Sequence, residues 1–277
     1  MSQTLSAFCA VYGPVTSWRF GQSLGIDPIG PVSTCSFNCV YCQLGEIQQK
    51  ISDRRLFVPT AQIEQDLLGF APWHVDIITL SGSGEPTLAL NLGEILTRVK
   101  ALTGRPTAVL TNGTLLPDAQ VRSELAIADR VAVKLDAVTP DQLRRVDRAV
   151  PEITWEALWQ GIWQFRQEYR GFLAVQTMLL SHWSGAEQDT YVQLLRDLQP
   201  DEVQLNVPTR PKPLTYQLDA RGNHAPDTCP YPVQVLKQVA PEVVVALANR
   251  LQMEAAIPVR MPPHLAHHWQ TANVDDV

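Results

Sequence analysis

The chain reads as an α/β protein, a partial (β/α)6 TIM-like barrel of parallel strands with a C-terminal extension. Three observations predict it. Apolar runs of strand length alternate with segments of helical periodicity. Glycine or Asn-Gly turns end several of those runs. Polar residues gather just after them, where ligands sit in parallel β/α folds.

The elements follow in order. "SLGIDPIG" is the candidate first strand, and "VDIITLSGSGE" (Val75 to Glu85) the second, stopped by glycines. In "LNLGEILTRVK", Leu92, Ile95, Leu96 and Val99 fall at i, i+3, i+4 and i+7 and predict a helix. "TAVLTNG" (Thr107 to Gly113) is the third strand, and Pro117 to Ala126 a short helix. "RVAVKLDA" (Arg130 to Ala137) is the fourth strand, followed by an aromatic-rich helix over Thr154 to Tyr169. "FLAVQTMLL" (Phe172 to Leu180) is the fifth, and Tyr191, Leu194, Leu195 and Leu198 mark the next helix. "EVQLNVP" (Glu202 to Pro208) is the sixth. About six such units fit, fewer than the eight of a closed barrel. From Arg210 the pattern breaks into the proline-rich "RPKPLTYQLDARGNHAPDTCPYP". A helical stretch over Glu242 to Ala255 and "IPVRMPPHLAHHW" follow. The expected division is a barrel over residues 1–213 and an extension over 214–277 that packs on it or caps it.

A composition 45% apolar and 18% charged suits a globular enzyme, not a disordered chain. The net charge of −6 gives no global attraction to nucleic acid or anionic membrane. No window approaches the ~20 apolar residues of a membrane span, and no signal peptide is legible. Five cysteines, three of them clustered, do not resemble a secreted disulfide framework. The expected compartment is the cytoplasm.

The cluster is "CSFNCVYCQ", with Cys35, Cys39 and Cys42 in a C-x3-C-x2-C spacing. Structural zinc wants four ligands, so a fourth would have to come from afar: His74, Cys229 or the His264, His267, His268 group. A disulfide would leave one cysteine over. A cubane iron–sulfur cluster takes four thiolates. Three would leave one iron with an open position for a substrate or cofactor.

With Tyr41 just before its third cysteine, this motif resembles the signature of the radical S-adenosylmethionine superfamily. The resemblance implies that Cys35, Cys39 and Cys42 hold a [4Fe-4S] cluster. The amino and carboxylate groups of S-adenosylmethionine would chelate the fourth iron. Reductive cleavage would then give methionine and a 5′-deoxyadenosyl radical that abstracts hydrogen from substrate. "SGSGEPTL" (Ser81 to Leu88) is similar to the superfamily's glycine–glutamate motif, which implies that Gly82, Ser83, Gly84 and Glu85 receive the cofactor's amino group. Glycines permit close backbone approach, and an ammonium seeks carbonyls and a carboxylate. "LTNGTLL" matches a third-strand end with Asn112 at the turn. "VKLDA" sets Lys134 and Asp136 on one strand face, where relatives meet the ribose or carboxylate; a structural salt bridge is the other reading. Gln176 is a candidate of the same kind, and Tyr41 is expected to border the adenine.

"VYGPVTSWRFGQSLGIDPIG", "SGSGEPTL" and "QLNVPTRPKP" together resemble a group related to the wyosine-tRNA synthesis enzymes and, more distantly, to the molybdenum-cofactor branch. Members often carry two arginines where Ser17, Trp18 and Arg19 stand. Some wyosine enzymes hold a second cluster, for which Cys9 and Cys229 are too few. A reductant of flavodoxin or ferredoxin type is implied as partner. The expected substrate lies at the barrel mouth near Asn206, Arg210 and Lys212, whose charges suit an anionic group. A tRNA substrate is disfavoured by charge. An electron-transfer module holding zinc or a fully ligated cluster is the rival of another class.

Overall fold

The computed structural model describes residues 8–222 and 229–272. The chain enters through a hairpin, β1 (Val11–Ser17) and β2 (Gly21–Ile26), paired antiparallel. Short strands β3 (Thr34–Cys35) and β4 (Gln49–Lys50) follow, then helix α1 (Thr60–Leu68). The repeating units come next: β5 (Ile77–Leu80), α2 (Leu92–Thr103), β6 (Thr107–Thr111), α3 (Ala119–Leu125) and β7 (Arg130–Lys134). A turn of helix, α4 (Pro140–Gln142), runs into a π-helical turn over Leu143–Asp147. Then come α5 (Trp155–Glu168), β8 (Phe172–Met178), α6 (Gly185–Leu198) and β9 (Glu202–Asn206). The C-terminal region adds β10 (Lys212–Pro213), β11 (Val233–Gln234), α7 (Pro241–Ala255), β12 (Val259–Arg260) and α8 (Pro263–Ala272).

One sheet of eight strands, in the order β1-β2-β5-β6-β7-β8-β9-β12, organises the molecule. Every pair from β2 to β12 is parallel; only β1 runs against its neighbour. The sheet curls into a half-barrel, and its two edges are bridged at one point. Arg260 on β12 donates to the carbonyls of Trp18 (2.6 Å) and Arg19 (3.3 Å) at the tip of the β1–β2 hairpin.

The six parallel strands β2 and β5 to β9 lie where the apolar runs place them. Strand β5 is buried along its whole length, as a strand covered on both faces must be. In α2, Leu92, Ile95, Leu96 and Val99 are the buried residues, and Gly104 in the left-handed region ends the helix. Ser184 and Glu187 form a capping box at the start of α6. Three elements escape the periodicity. Strand β1 carries Gly13 and Pro14 and shifts register between Tyr12 and Val15, which an edge strand tolerates. Strand β12 has two residues, too few to show a period. Helix α1 buries only Thr60, Ile63 and Leu67. No helix among the described residues is long and apolar enough to cross a membrane.

Candidate active site

The C-terminal ends of β2 and β5 to β9 form the barrel mouth, and the cysteine loop leaves from the end of β2. Cys35 lies on β3 and its carbonyl accepts from Ile51 N at 3.1 Å. A tight turn follows, with Cys42 N on the Cys39 carbonyl at 3.0 Å. The loop is braced from outside by the end of the π-helical turn and the residues just after it. Asn38 N donates to Asp147 O, Val40 N to Val146 O, and Val150 N to Ser36 O, each at 2.9 Å. All three cysteines are half-buried, and each thiol is pushed up first by burial. The neighbouring Cys42 raises Cys35 and Cys39 further, so the three sulfurs share one space. An all-sulfur donor set suits an iron–sulfur cluster. Among the described residues no three His, Cys, Asp or Glu side chains are placed to share a single ion. Cys9 is exposed and donates to Val11 O at 3.1 Å, apart from the cluster.

The Gly82 to Glu85 loop is clamped beside Cys35. Thr34 N donates to Ser83 O (3.2 Å), and Glu85 N to Thr34 O (3.1 Å). Only glycine fits at 84, because a Cβ there would stand 1.7 Å from the Thr34 carbonyl oxygen. Ser83 is fully buried. Its N and Oγ donate to Asp27 at 3.0 and 3.1 Å. Asp27 also pairs with Arg221 at 2.9 Å, tying this loop to the C-terminal region. Glu85 is buried too, and its carboxylate is already filled. It accepts from Thr87 N (3.1 Å), Thr87 Oγ1 (2.7 Å), Thr111 Oγ1 (2.6 Å) and Asn112 N (2.7 Å). Glu85 therefore joins the ends of β5 and β6. It sets Asn112, whose Nδ2 reaches Ser36 Oγ (2.9 Å) and Cys35 Sγ (3.5 Å).

Lys134 and Asp136 do meet, within a buried network. Lys134 Nζ pairs with Asp136 and, at 2.6 Å, with Asp147. Both Lys134 and the Tyr41 hydroxyl donate to Asp136 Oδ2. The Lys134 ammonium lies 4.6 Å from the Tyr41 ring centroid. Asp136 Oδ1 accepts from Met178 N at 2.7 Å. Lys134 thus links the cysteine loop to its outer brace. Asp147 was not legible: it sits in a charge-rich stretch, "QLRRVDRAV", more than a hundred residues from Cys42. A cavity of about 210 Å³ opens beside this network, lined by Arg19, Tyr41, Thr111, Asn112, Gln176 and Asn206 among others. Gln176 donates to Gln204 at 2.8 Å, and Gln204 to Glu202, so a polar ladder runs down the inner wall. Of the mouth residues, Asn206 lines the cavity, while Arg210 is exposed and bonded to Gln43.

A parallel half-barrel with three thiols and a glycine–glutamate loop at its mouth defines a class, and comparison with known proteins agrees. The chain belongs to the radical SAM superfamily, whose family model matches residues 29–207. It is 56% identical over 261 residues to a UPF0026 protein of Synechocystis sp., covering 93% of this chain and 98% of that one. A UPF0026 protein of Methanocaldococcus jannaschii is 32% identical over 206 residues, covering 72% of this chain and 64% of that one. Among solved structures, Streptococcus suis SuiB bound to S-adenosylmethionine matches 87% of this chain and 47% of its own at 14% identity, with a TM-score of 0.57. A radical SAM methyltransferase from Sphaerobacter thermophilus matches 87% and 65% at 18% identity, with a TM-score of 0.55. The chain thus spans about half of SuiB, and these likenesses show the fold. The protein is a radical SAM enzyme, of a family that uses a [4Fe-4S] cluster and S-adenosylmethionine and needs a reductant.

Proposed function

We propose that the protein abstracts hydrogen from an anionic small molecule held across the barrel mouth. The observation that supports it most is the three-thiol loop, fixed against both the glycine–glutamate loop and a polar cavity. Cys35, Cys39 and Cys42 would hold the cluster. When bound, the reduced cluster and S-adenosylmethionine supply a 5′-deoxyadenosyl radical, with methionine as the other product. The residues of the chain do the rest. Glu85 orders the turn at Asn112 and fixes the loop of Gly82, Ser83 and Gly84, whose backbone would take the cofactor's amino group. Lys134, Asp136 and Tyr41 fix the loop's inner face, with Tyr41 and Gln176 on the side where the adenosine would lie. Asn206, Arg210 and Lys212 face the substrate.

The reductant in this reading is a flavodoxin or ferredoxin, and the setting is the cytoplasm. Residues 214–277 act as an appendage on the barrel. Support comes from Arg221 on Asp27 and from β12 on β9. Kinship with the wyosine-tRNA group remains part of the proposal, but the net charge of −6 favours a small substrate over tRNA. A probable GTP 3′,8-cyclase of Saccharolobus islandicus is 29% identical over 130 residues, 46% of this chain and 40% of that one. Its named substrate is anionic, as this reading expects.

The test is anaerobic incubation of reduced, cluster-loaded protein with S-adenosylmethionine, followed by chromatography. The wild type should form 5′-deoxyadenosine and methionine, and the Cys39→Ala protein should form neither. Equal 5′-deoxyadenosine from both, or none from loaded wild type under several reductants, would sink the proposal.

A further inference from the structure

The barrel interior holds a cation that pairs with no carboxylate among the described residues. Arg19 stands at the tip of the β1–β2 hairpin, where Arg260 grips the backbone of residues 18 and 19. The guanidinium carbons of Arg19 and Arg260 also lie 4.3 and 5.8 Å from the Trp18 ring centroid. With the tip held this way, the Arg19 side chain lines the 210 Å³ cavity. Its Nε is buried without an acceptor, and among the described residues it forms no ion pair with a carboxylate.

The carboxylates around it are already used. Glu202 accepts from Gln204 and lies 3.7 Å from Arg260; Asp136 accepts from Lys134, Tyr41 and Met178. Arg210 adds a like charge. Burial first, then Arg210, lower Arg19 to about 10, which leaves it protonated at neutral pH. Asn206 lines the same cavity, and its Oδ1 is buried without a donor. A buried guanidinium Nε–H and a buried amide oxygen, both without a hydrogen-bond partner, are costly unless a ligand completes them.

The tip lies at the opposite end of β2 from the cysteine loop. Arg19 therefore enters the cavity from the hairpin side, and Tyr41 of the cysteine loop lines the same cavity. We infer that Arg19, together with Asn206, recognises a carboxylate or phosphate of the substrate, with a neighbouring N–H or O–H of that substrate on Asn206. This deepens the proposed hydrogen-abstraction reading and rests on it. Arginine suits the task because its planar fork pairs with either oxyanion.

The test uses oxidised, cluster-loaded protein saturated with S-adenosylmethionine and carrying 15N-labelled arginine. The Arg19 Nε–H signal is assigned by its loss in Arg19→Lys. Inorganic phosphate and acetate are titrated separately, with chloride at matched ionic strength as control. The Arg19 signal should shift saturably with phosphate or acetate and not with chloride; which anion does so names the group. Equilibrium dialysis of S-adenosylmethionine should give the same affinity for wild type, Arg19→Gln and Arg19→Lys, within about twofold. Iron content and circular dichroism check that each variant is folded, and Arg19→Lys, which keeps the charge, serves if Arg19→Gln is not. No saturable shift with either anion would overturn the inference. So would a loss of cofactor affinity of about tenfold or more in a folded variant, since that is the size expected for one charged hydrogen bond moved to the cofactor. Wild type that binds no S-adenosylmethionine would instead sink the radical reading, and the anion titration on cluster-loaded protein alone would still be readable.

Discussion

Replacing Lys134 by methionine separates two roles for the Lys134 and Asp136 pair. If the ammonium meets the cofactor, its loss weakens S-adenosylmethionine binding and leaves the fold alone. The structure argues for the other role. The Lys134 side chain is 15% exposed and sits between Asp136 and Asp147, themselves 1% and 3% exposed. Methionine keeps the length but leaves two buried carboxylates facing each other without a cation. Breaking a buried pair by removing one partner costs about 3–5 kcal/mol. For a chain of this size that is a fall in Tm of roughly 6–20 °C. Because the Asp147 backbone carries Asn38 of the cysteine loop, cluster retention should fall as well. The assay is anaerobic melting of loaded protein by circular dichroism, with iron content and cofactor affinity measured on the same samples. The double variant Lys134→Met, Asp147→Leu should recover part of the loss, since it removes one of the stranded carboxylates. A Tm within a degree or two of wild type, with cofactor affinity lowered about tenfold, would refute the bracing argument and return Lys134 to the cofactor.

Three further outcomes are expected. Alanine at Cys35, Cys39 or Cys42 should abolish assembly of about four irons and four sulfides per chain, while Cys9→Ala and Cys229→Ala should assemble normally; iron and sulfide analysis decides. Gly84→Ala should displace the loop from Cys35, because backbone stands 1.7 Å from the new Cβ, and should lower Tm by more than an ordinary overpacked site costing about 1–3 kcal/mol. Anion binding at Arg19 should be flat across neutral pH, because burial lowers the guanidinium but leaves it protonated there. The groups facing Arg19 are Arg210, Tyr41, Arg260 and Glu202, and burial holds the Tyr41 proton well above its ordinary range. Binding that instead declined below neutrality would assign the effect to another group.

Much of the site was legible in the sequence because its chemistry is local. Cys35, Cys39 and Cys42 fall within eight positions, and one short loop presents three sulfurs whatever surrounds it. The six parallel strands were legible too, since buried strands must be apolar along their length and the turns after them carry Gly82, Gly84 and Gly113. Glu85 was found, but its partners were not. An isolated carboxylate gives no sign of whether it will meet a ligand or the hydroxyl of Thr111, twenty-six residues on. Pairing at such range is set by strand register. The same holds for Lys134 with Asp147, for Asp27 with Arg221, and for the hairpin tip whose Arg19 is delivered into the cavity only because Arg260 grips it from the far edge of the sheet. The sequence by itself determined the cofactor-bearing loop and the parallel scaffold, because nearest neighbours in the chain and the hydrophobic period dictate both. Tertiary structure alone decided which polar groups are satisfied and which are left facing the cavity, because that depends on contacts between residues that curl of the sheet brings together across its whole width.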